Sequence, residues 1–373
     1  MDPRPALVLN AGSSSVKAAL LAVDGTALWR GQQPWQPEAP GAAAAETTAG
    51  TPVEGVLRWL AGSLGSLGSL GTEPGGRESA GAPSLALVGH RVVHGGERFT
   101  SPTRLSTAVI AELAQLVPLA PLHNGPALRL IEALARRWPE LPQWACFDTA
   151  FHASLPPEAR TYALPERWRQ AGLRRFGFHG LNHEHVAESV ARRDPAVRRL
   201  ISCHLGAGCS LCAIRDGRSI ATTMGFTPLE GLVMATRSGS VDPGLLLHLL
   251  RQGVTVEGLD HSLNSESGLL GLSGLSGDMR ELRRAAARGH AGAALAISVF
   301  RQRLLQEIGA MAASLGGVEV IALSGGIGEH DRALQQELIQ ALNWLGPVRL
   351  EVVPADEEGL IARRCRGAAA AGN

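Results

Sequence analysis

The chain has 373 residues, 45% of them hydrophobic, and its 35 basic and 34 acidic side chains give a formal net charge of +1. That is chain and apolar material enough for two ordinary domains, and near-neutrality argues against a nucleic-acid or anionic-membrane partner, which would select concentrated positive charge. No apolar run reaches the ~20 residues of a membrane span, a strand begins too soon after Met1 for a signal peptide to be expected, and the five cysteines (Cys146, Cys203, Cys209, Cys212, Cys365) read as buried free thiols in a reducing cytoplasm.

Residues 6–9 and 18–23 are apolar runs around Asn10-Ala-Gly-Ser-Ser-Ser-Val-Lys17 and end at Asp24-Gly25, which predicts a β-hairpin with a Ser/Gly loop. Lys17 is the single lysine in a chain otherwise using Arg, a retention that points to a specific task, with chance as the competing account. Residues 36–83 are low in complexity, and no chemistry is expected there. Within them Val53, Val56, Leu57 and Leu60 follow the spacing of one amphipathic helix. A strand at 85–89 leads into His90-Arg91-Val92-Val93-His94-Gly95-Gly96, where Arg91 is either an anion ligand or a salt-bridged loop residue. A helix is expected over 107–119, then a turn at Pro121-Leu122-His123-Asn124 and a helix over 126–138. The strand at 143–147 ends at Asp148. In open α/β sheets ligands collect beyond the carboxyl ends of strands, so Asp148 meets a metal or hydroxyl there, or else caps a helix.

Phe176-Gly177-Phe178-His179 precedes a helix capped near Asn182 and running to about 193. His179, His183 and His185 invite a zinc reading, but the HExxH spacing is absent and His183 and His185 do not share a helix face. His179 is therefore the candidate for chemistry. The stretch 201–242 runs strand, His204, a turn with Gly206 and Gly208, a second strand, an Asp-Gly turn, and Arg237 in a Gly/Ser loop. Glycines bring backbone N–H groups close to an anion and an arginine fork grips its oxygens, so this is a phosphate site or an ordinary hairpin with a polar loop. Cys209 and Cys212 would point to opposite faces of a strand, which disfavours a metal or redox pair. The order strand, polar residue, Gly/Ser loop, strand, Asp-Gly occurs at both 6–25 and 200–217, which suggests a duplicated βαβ-type domain with a nucleotide in the cleft between the copies. Farther on come an apolar run at 245–250, a helix around Val256, Asp278-Met279-Arg280 and a long helical region over 281–315. A strand at 318–323 then enters Ser324-Gly325-Gly326-Ile327-Gly328-Glu329. Strand, glycine-rich turn and helix suit a phosphate or nucleoside, although no Walker lysine follows. A strand at 348–353, Glu357-Glu358 and a short helix close the chain.

NAGSSSVK, GHRVVHGG, APLHN, FDTAFH, RRFGFHG, HLGAGCSL, GFTPLEG, TRSGSVDPG, GDMREL and GGIGE occur in this order. Together they resemble the acetate kinase family, within the acetokinase, sugar kinase, heat-shock and actin superfamily, over nearly the whole chain outside 36–83. The resemblance implies a duplicated two-domain, actin-like (ribonuclease H-like) α/β fold with an interdomain cleft. It divides the chain into an N-terminal domain, 1–150 with 357–373, and a nucleotide-binding C-terminal domain, 151–356. It also implies a cytoplasmic homodimer catalysing reversible phosphoryl transfer from ATP to acetate with Mg2+, for which Mn2+ substitutes. By position, Arg91 and Arg237 match the arginines that meet phosphate and carboxylate, His179 the transition-state histidine and Asp148 the catalytic aspartate. Asn10 and Lys17 match the first phosphate loop, and His204, Leu205, Gly206, Ala207 and Gly208 the second. Asp278, Met279 and Arg280 match the adenosine pocket, as do Gly325, Gly326, Ile327 and Gly328. Asn10 and Glu357 match the metal side, while Val93, Leu122, Phe178 and Pro228 match the acyl pocket. Three departures from the pattern stand out: His330 stands for Asn at an expected nucleoside contact, Leu181-Asn182 for Thr-Ser, and Gly359 for Leu.

Phosphoryl transfer has a loose, charge-spread transition state, so its catalysis is positioning and electrostatics. A carboxylic acid, with a pKa of about 4, is already ionised at pH 7 and needs no base, whereas a sugar hydroxyl would need one and Asp148 would be the candidate. The residues alone leave a sugar or polyol kinase open. The resemblance favours an acyl acceptor, with propionate or butyrate as the alternative to acetate.

Overall fold

Apolar runs flanked by turn residues become the central strands of two mixed sheets. The computed structural model describes residues 2–12, 15–35, 51–66 and 84–372. Ser13 and Ser14 of the expected Ser/Gly loop, and most of the low-complexity stretch, lie outside them. The chain divides into two compact units, Met1–Ala150 with Asp356–Asn373, and Phe151–Ala355.

The first unit carries β1 (Ala6–Ala11), β2 (Ser15–Leu21), β3 (Ala27–Pro34), β4 (Leu87–Val92), β5 (Thr103–Arg104) and β6 (Gln143–Phe147), in the sheet order β3-β2-β1-β4-β6-β5. The second carries β7 (Arg199–Leu205), β8 (Cys209–Arg215), β9 (Arg218–Thr222), β10 (Val320–Ser324) and β11 (Arg349–Val352), in the order β9-β8-β7-β10-β11. The two patterns coincide. In each unit the first three strands form an antiparallel meander and two more, β4 and β6 or β10 and β11, add in parallel on the other side of the first strand; β5, a two-residue antiparallel edge on β6, has no counterpart among the described residues of the second unit. The register even slips at the same place, between the second and third strands, at Leu20/Leu21 and at Ala213/Ile214. The duplicated α/β class expected from the sequence is thus observed.

Parallel strands are covered on both faces and therefore read as near-continuous apolar runs, and β6 and β10 are buried throughout. In the first unit the helix Pro52–Ser66 lays Val56, Leu60 and Leu64 into the same core as Leu7, Leu9 and Leu130. The last helix, Glu357–Ala370, packs against β1, β4 and β6. Gly89 permits that approach, since a Cβ there would stand 2.8 Å from Ile361 Cγ2. All five cysteines are buried and none is in a disulfide.

Four local expectations are corrected. The turn at 121–124 is the opening of the helix Pro121–Arg137, because Pro121 has no N–H to lose at a helix start. The helix after His179 is Gly180–Arg193, capped by His179 itself. Asn182 lies inside its first turn, buried, where its Oδ1 accepts from Ser324 Oγ. The expected helix over 281–315 is two, Met279–Ala287 and Ala291–Leu315, broken where Gly289 takes φ +87°. The closing helix is long and half-buried rather than short, because one face completes the first core. Strand β3 was not foreseen. It is an exposed edge whose polar residues show little apolar alternation.

Three buried histidines are held neutral by desolvation. His90 and His152 are pushed down to about 4, and His183 well below 6.5. The unfolded chain takes up protons below about 6.5 that the native rings refuse until about 4, so this stability is full above pH 6.5 and lost as pH falls through that window. Chemical unfolding between pH 7 and 4 should lose roughly 2–3 kcal/mol for each of His90 and His152. His152→Gln should flatten the profile. A slope unchanged by that substitution would refute the assignment.

Candidate active site

In the first unit, parallel pairing puts Asn10 of β1 beside Arg91 of β4, while Asp148 follows the end of β6, the other neighbour of β4. The Arg91 guanidinium grips Asp148 with both edges, Nε to Oδ1 at 2.9 Å and Nη2 to Oδ2 at 2.5 Å, and Nη1 donates to Asn10 Oδ1 at 3.3 Å. Glu357, at the start of the last helix, stands 3.7 Å from Arg91 Nε. Burial alone would weaken the hold of Arg91 on its proton, but Asp148 and Glu357 more than offset this and its pKa is raised. Asp148 is buried, so its carboxylate serves this pair. Lys17 is exposed and sits directly opposite Asn10 across the β1–β2 ladder, on the same face.

This cluster suits a hard cation. Two carboxylates face one guanidinium, which leaves a net negative charge, and Asn10, Asp148 and Glu357 offer only oxygen. Among the described residues no group of three or more His, Cys, Asp or Glu forms a cage able to hold a metal unaided.

In the second unit His179 caps its helix in the left-handed conformation, φ +56°, a strained position for a side chain of this size. Its Nδ1 lies 2.9 Å from Ser210 Oγ and its ring centroid is 4.5 Å from that of His204. A Cβ on Gly208 would meet His179 Nε2 at 3.1 Å and Arg237 Nη1 at 3.8 Å, so the two side chains converge above this glycine. Arg237 is aimed by its own loop, donating from Nη1 to the Pro228 carbonyl at 2.9 Å. That loop is clamped by residues the sequence reading passed over. Glu230 accepts from Arg175 Nη2 and from Tyr162 Oη, both at 2.5 Å, and Arg175 also binds the carbonyls of Thr223 and Met224. Arg175 and Glu230 lie within two of the recurring motifs, RRFGFHG and GFTPLEG, which was the available signal. His183 and His185 are bonded to serine hydroxyls and to the Pro354 carbonyl, away from any zinc role.

Beside Gly208, a cavity of about 650 Å³ opens, lined by Gly206, Ala207, Asp278, Met279, Arg280, Gly326 and Ile327 among the expected residues. It is also lined by His330, the departure expected to touch the nucleoside, and by Arg283, Asp331 and Arg332, which were not expected there. Leu205, Gly325 and Gly328 are buried behind the wall, where Gly325 at φ +79° passes so close to β7 that a Cβ would stand 2.8 Å from the Leu205 carbonyl oxygen. Asp278 caps its helix through the Arg280 N–H and pairs with the Arg280 guanidinium, which draws its carboxyl down to about 2. Of the expected acyl-pocket residues, Val93 belongs to the first unit and Phe178 and Pro228 to the second, and the Leu122 side chain lies outside the described residues. The departure at Gly359 has a structural cause. Asp356 caps the last helix through the Gly359 N–H, and a Cβ at 359 would stand 1.9 Å from its carboxylate.

Residues 5–363 match the model of the acetokinase family. An acetate kinase of Synechococcus sp. is 44% identical over 96% of this chain and 98% of its own length. The crystal structure of Porphyromonas gingivalis acetate kinase superposes with a TM-score of 0.84 at 33% identity, over 98% of this chain and 99% of that one. A propionate kinase from Francisella tularensis superposes with a TM-score of 0.87 at 31% identity, over the same shares. With the family model covering almost every residue and a curated relative aligned along its whole length, the chain belongs to the acetokinase family.

Proposed function

We propose that the chain transfers the γ-phosphoryl group of ATP to acetate by direct in-line displacement, reversibly, yielding acetyl phosphate and ADP. The observation that carries this is the convergence of His179 Nε2 and Arg237 over Gly208, one residue from the Gly206–Ala207 wall of the nucleotide-sized cavity. A nucleoside in that cavity would run its phosphates along the 206–208 turn to these two donors. Arg237 and His179 then stabilise the equatorial oxygens in flight. Arg91, oriented by Asp148, receives the acid carboxylate. Asn10, Asp148 and Glu357 would hold Mg2+, which when bound neutralises phosphate charge, and Lys17 adds positive charge on the Asn10 face. Acetate is already charged and needs relief from repulsion, not a base. The adenosine side falls to Asp278, Met279, Arg280, Gly326 and Ile327, with His330 facing the cavity as a specificity element.

Acetate is favoured over propionate or butyrate because the curated relatives carry the acetate kinase name at 39–46% identity. Cytoplasmic placement accords with five cysteines in no disulfide. The helix Pro243–Arg251 carries five leucines with no buried residue, and Leu245 and Leu247 are 48% and 52% exposed. An apolar helix left bare in this way is the expected surface for a homodimer.

Arg237→Ala should lower kcat by about 10³–10⁵, or roughly 4–7 kcal/mol of barrier, with little loss of stability. Arg91→Ala would strand the buried Asp148 and cost about 3–5 kcal/mol of folding. Arg91→Lys is therefore the better probe, and it should lose turnover because a lysine cannot grip bidentately. Near wild-type turnover in either arginine variant would remove that residue from the mechanism. Trapping the acyl phosphate with hydroxylamine should show kcat/KM falling from acetate to butyrate by about 1–3 kcal/mol per methylene. ADP release with a polyol and no hydroxamate would point to a sugar kinase instead. Leu247→Glu should convert a dimer to a monomer in sedimentation, and an unchanged mass would exclude this helix.

A further inference from the structure

Behind His179 lies a line of groups that the reaction as proposed leaves unused. Ser202 and Ser210 stand on one face of the second sheet, because His204, two residues from Ser202, is the register partner of Ser210. His183, from the helix Gly180–Arg193 on that face, sits between the hydroxyls, with Nδ1 2.9 Å from Ser202 Oγ and Nε2 2.9 Å from Ser210 Oγ. Ser210 Oγ in turn is 2.9 Å from His179 Nδ1. Ser202, His183 and Ser210 are wholly buried.

We infer that Ser202, His183 and Ser210 form a hydrogen-bond relay that sets the tautomer of His179, so that the neutral ring presents Nε2–H toward the space above Gly208. The proton count gives the direction. Among the described residues His183 Nδ1 is the hydrogen-bond partner of the Ser202 hydroxyl. A buried hydroxyl that fails to donate costs as much as a lost hydrogen bond, so Ser202 donates and His183 Nδ1 accepts. The His183 ring is neutral, since burial, with His152 and His204 nearby, holds its pKa well below 6.5, and its one proton is then on Nε2, which donates to Ser210 Oγ. The Ser210 proton is left for His179 Nδ1, and the His179 proton goes to Nε2. Reversing the line would leave the Ser202 proton without an acceptor. The result suits the proposed reaction, on which the functional part of this inference rests. A phosphoryl oxygen above Gly208 meets an N–H rather than a lone pair, and the donor adds no second full charge beside Arg237. The donor also persists at a pH where an imidazolium would be lost. Ser202, His183 and Ser210 are positioning residues.

The test uses full-length enzyme labelled with ¹⁵N-histidine, with ring nitrogens read by long-range ¹H–¹⁵N correlation at pH 7 and His179 assigned from His179→Gln. The expected spectrum shows His179 and His183 both neutral with the proton on Nε2. Ser210→Ala should shift His179 toward the Nδ1–H form and lower kcat about 10–100-fold, with the KM for ATP unchanged. His183→Gln offers an amide N–H in place of Nε2–H and should keep the His179 spectrum and most of the turnover, where His183→Leu keeps neither. Thermal unfolding identifies any variant that fails to fold, and Ser202→Ala, the smallest change, then supplies the comparison, with the same shift of the His179 signals expected. An Nδ1–H or doubly protonated His179 in the wild type, or a His179 spectrum unchanged by Ser210→Ala, overturns the relay. If the spectra behave as expected while His179→Gln retains full turnover, the relay stands and the catalytic role of His179 fails.

Discussion

The constraint on which the rest depends is the hydrogen-bond register of the parallel strands. Pairing β1 with β4 and β4 with β6 brings three carboxyl ends to one level, so that Asn10, Arg91 and Asp148 meet although they are widely separated in sequence. In the other unit the antiparallel pairing of β7 with β8 and the parallel pairing of β7 with β10 make His204 the register partner of both Ser210 and Ser324. A slip of one residue would turn every side chain of a strand to the other face, and it would dismantle both clusters while leaving the apolar content of the strands unchanged.

The two units then solve different electrostatic problems. In the first, a guanidinium and a buried carboxylate are held together in bidentate geometry, with a second carboxylate, that of Glu357, close by. In the second, burial keeps His183 neutral between two hydroxyls, one of which, Ser210, also holds His179. Neutral donors beside an arginine let an anion approach without the protein having to confine several like charges in one place. Glycine makes the approach possible. At Gly208 the missing side chain is the space toward which His179 and Arg237 point, and at Gly225 a Cβ would stand 1.8 Å from Glu230, the carboxylate that clamps the Arg237 loop.

Much was legible in the chain before any coordinates. The central strands announce themselves as apolar runs bounded by turn residues, and the repeated order of strand, polar residue, glycine loop and strand reveals the duplication, because backbone pairing imposes the same local pattern on each copy. The motifs were equally plain, and Arg91, Asp148, His179, Arg237 and the glycine-rich segments beside the cavity could all be named from them as candidates. Only the tertiary structure decided which of these residues meet and what each one touches. That Asp148 orients Arg91, that Leu205, Gly325 and Gly328 lie behind the cavity wall while Arg283 and His330 face it, and that Tyr162, Arg175 and Glu230 hold the Arg237 loop are matters of long-range register and packing. Local sequence carries the propensity of an element, but the partner of a side chain is set by strands and helices far away along the chain. For that reason the chemistry of Ser202, His183 and Ser210 was invisible in the linear order and appears only where β7, β8 and the helix Gly180–Arg193 come together.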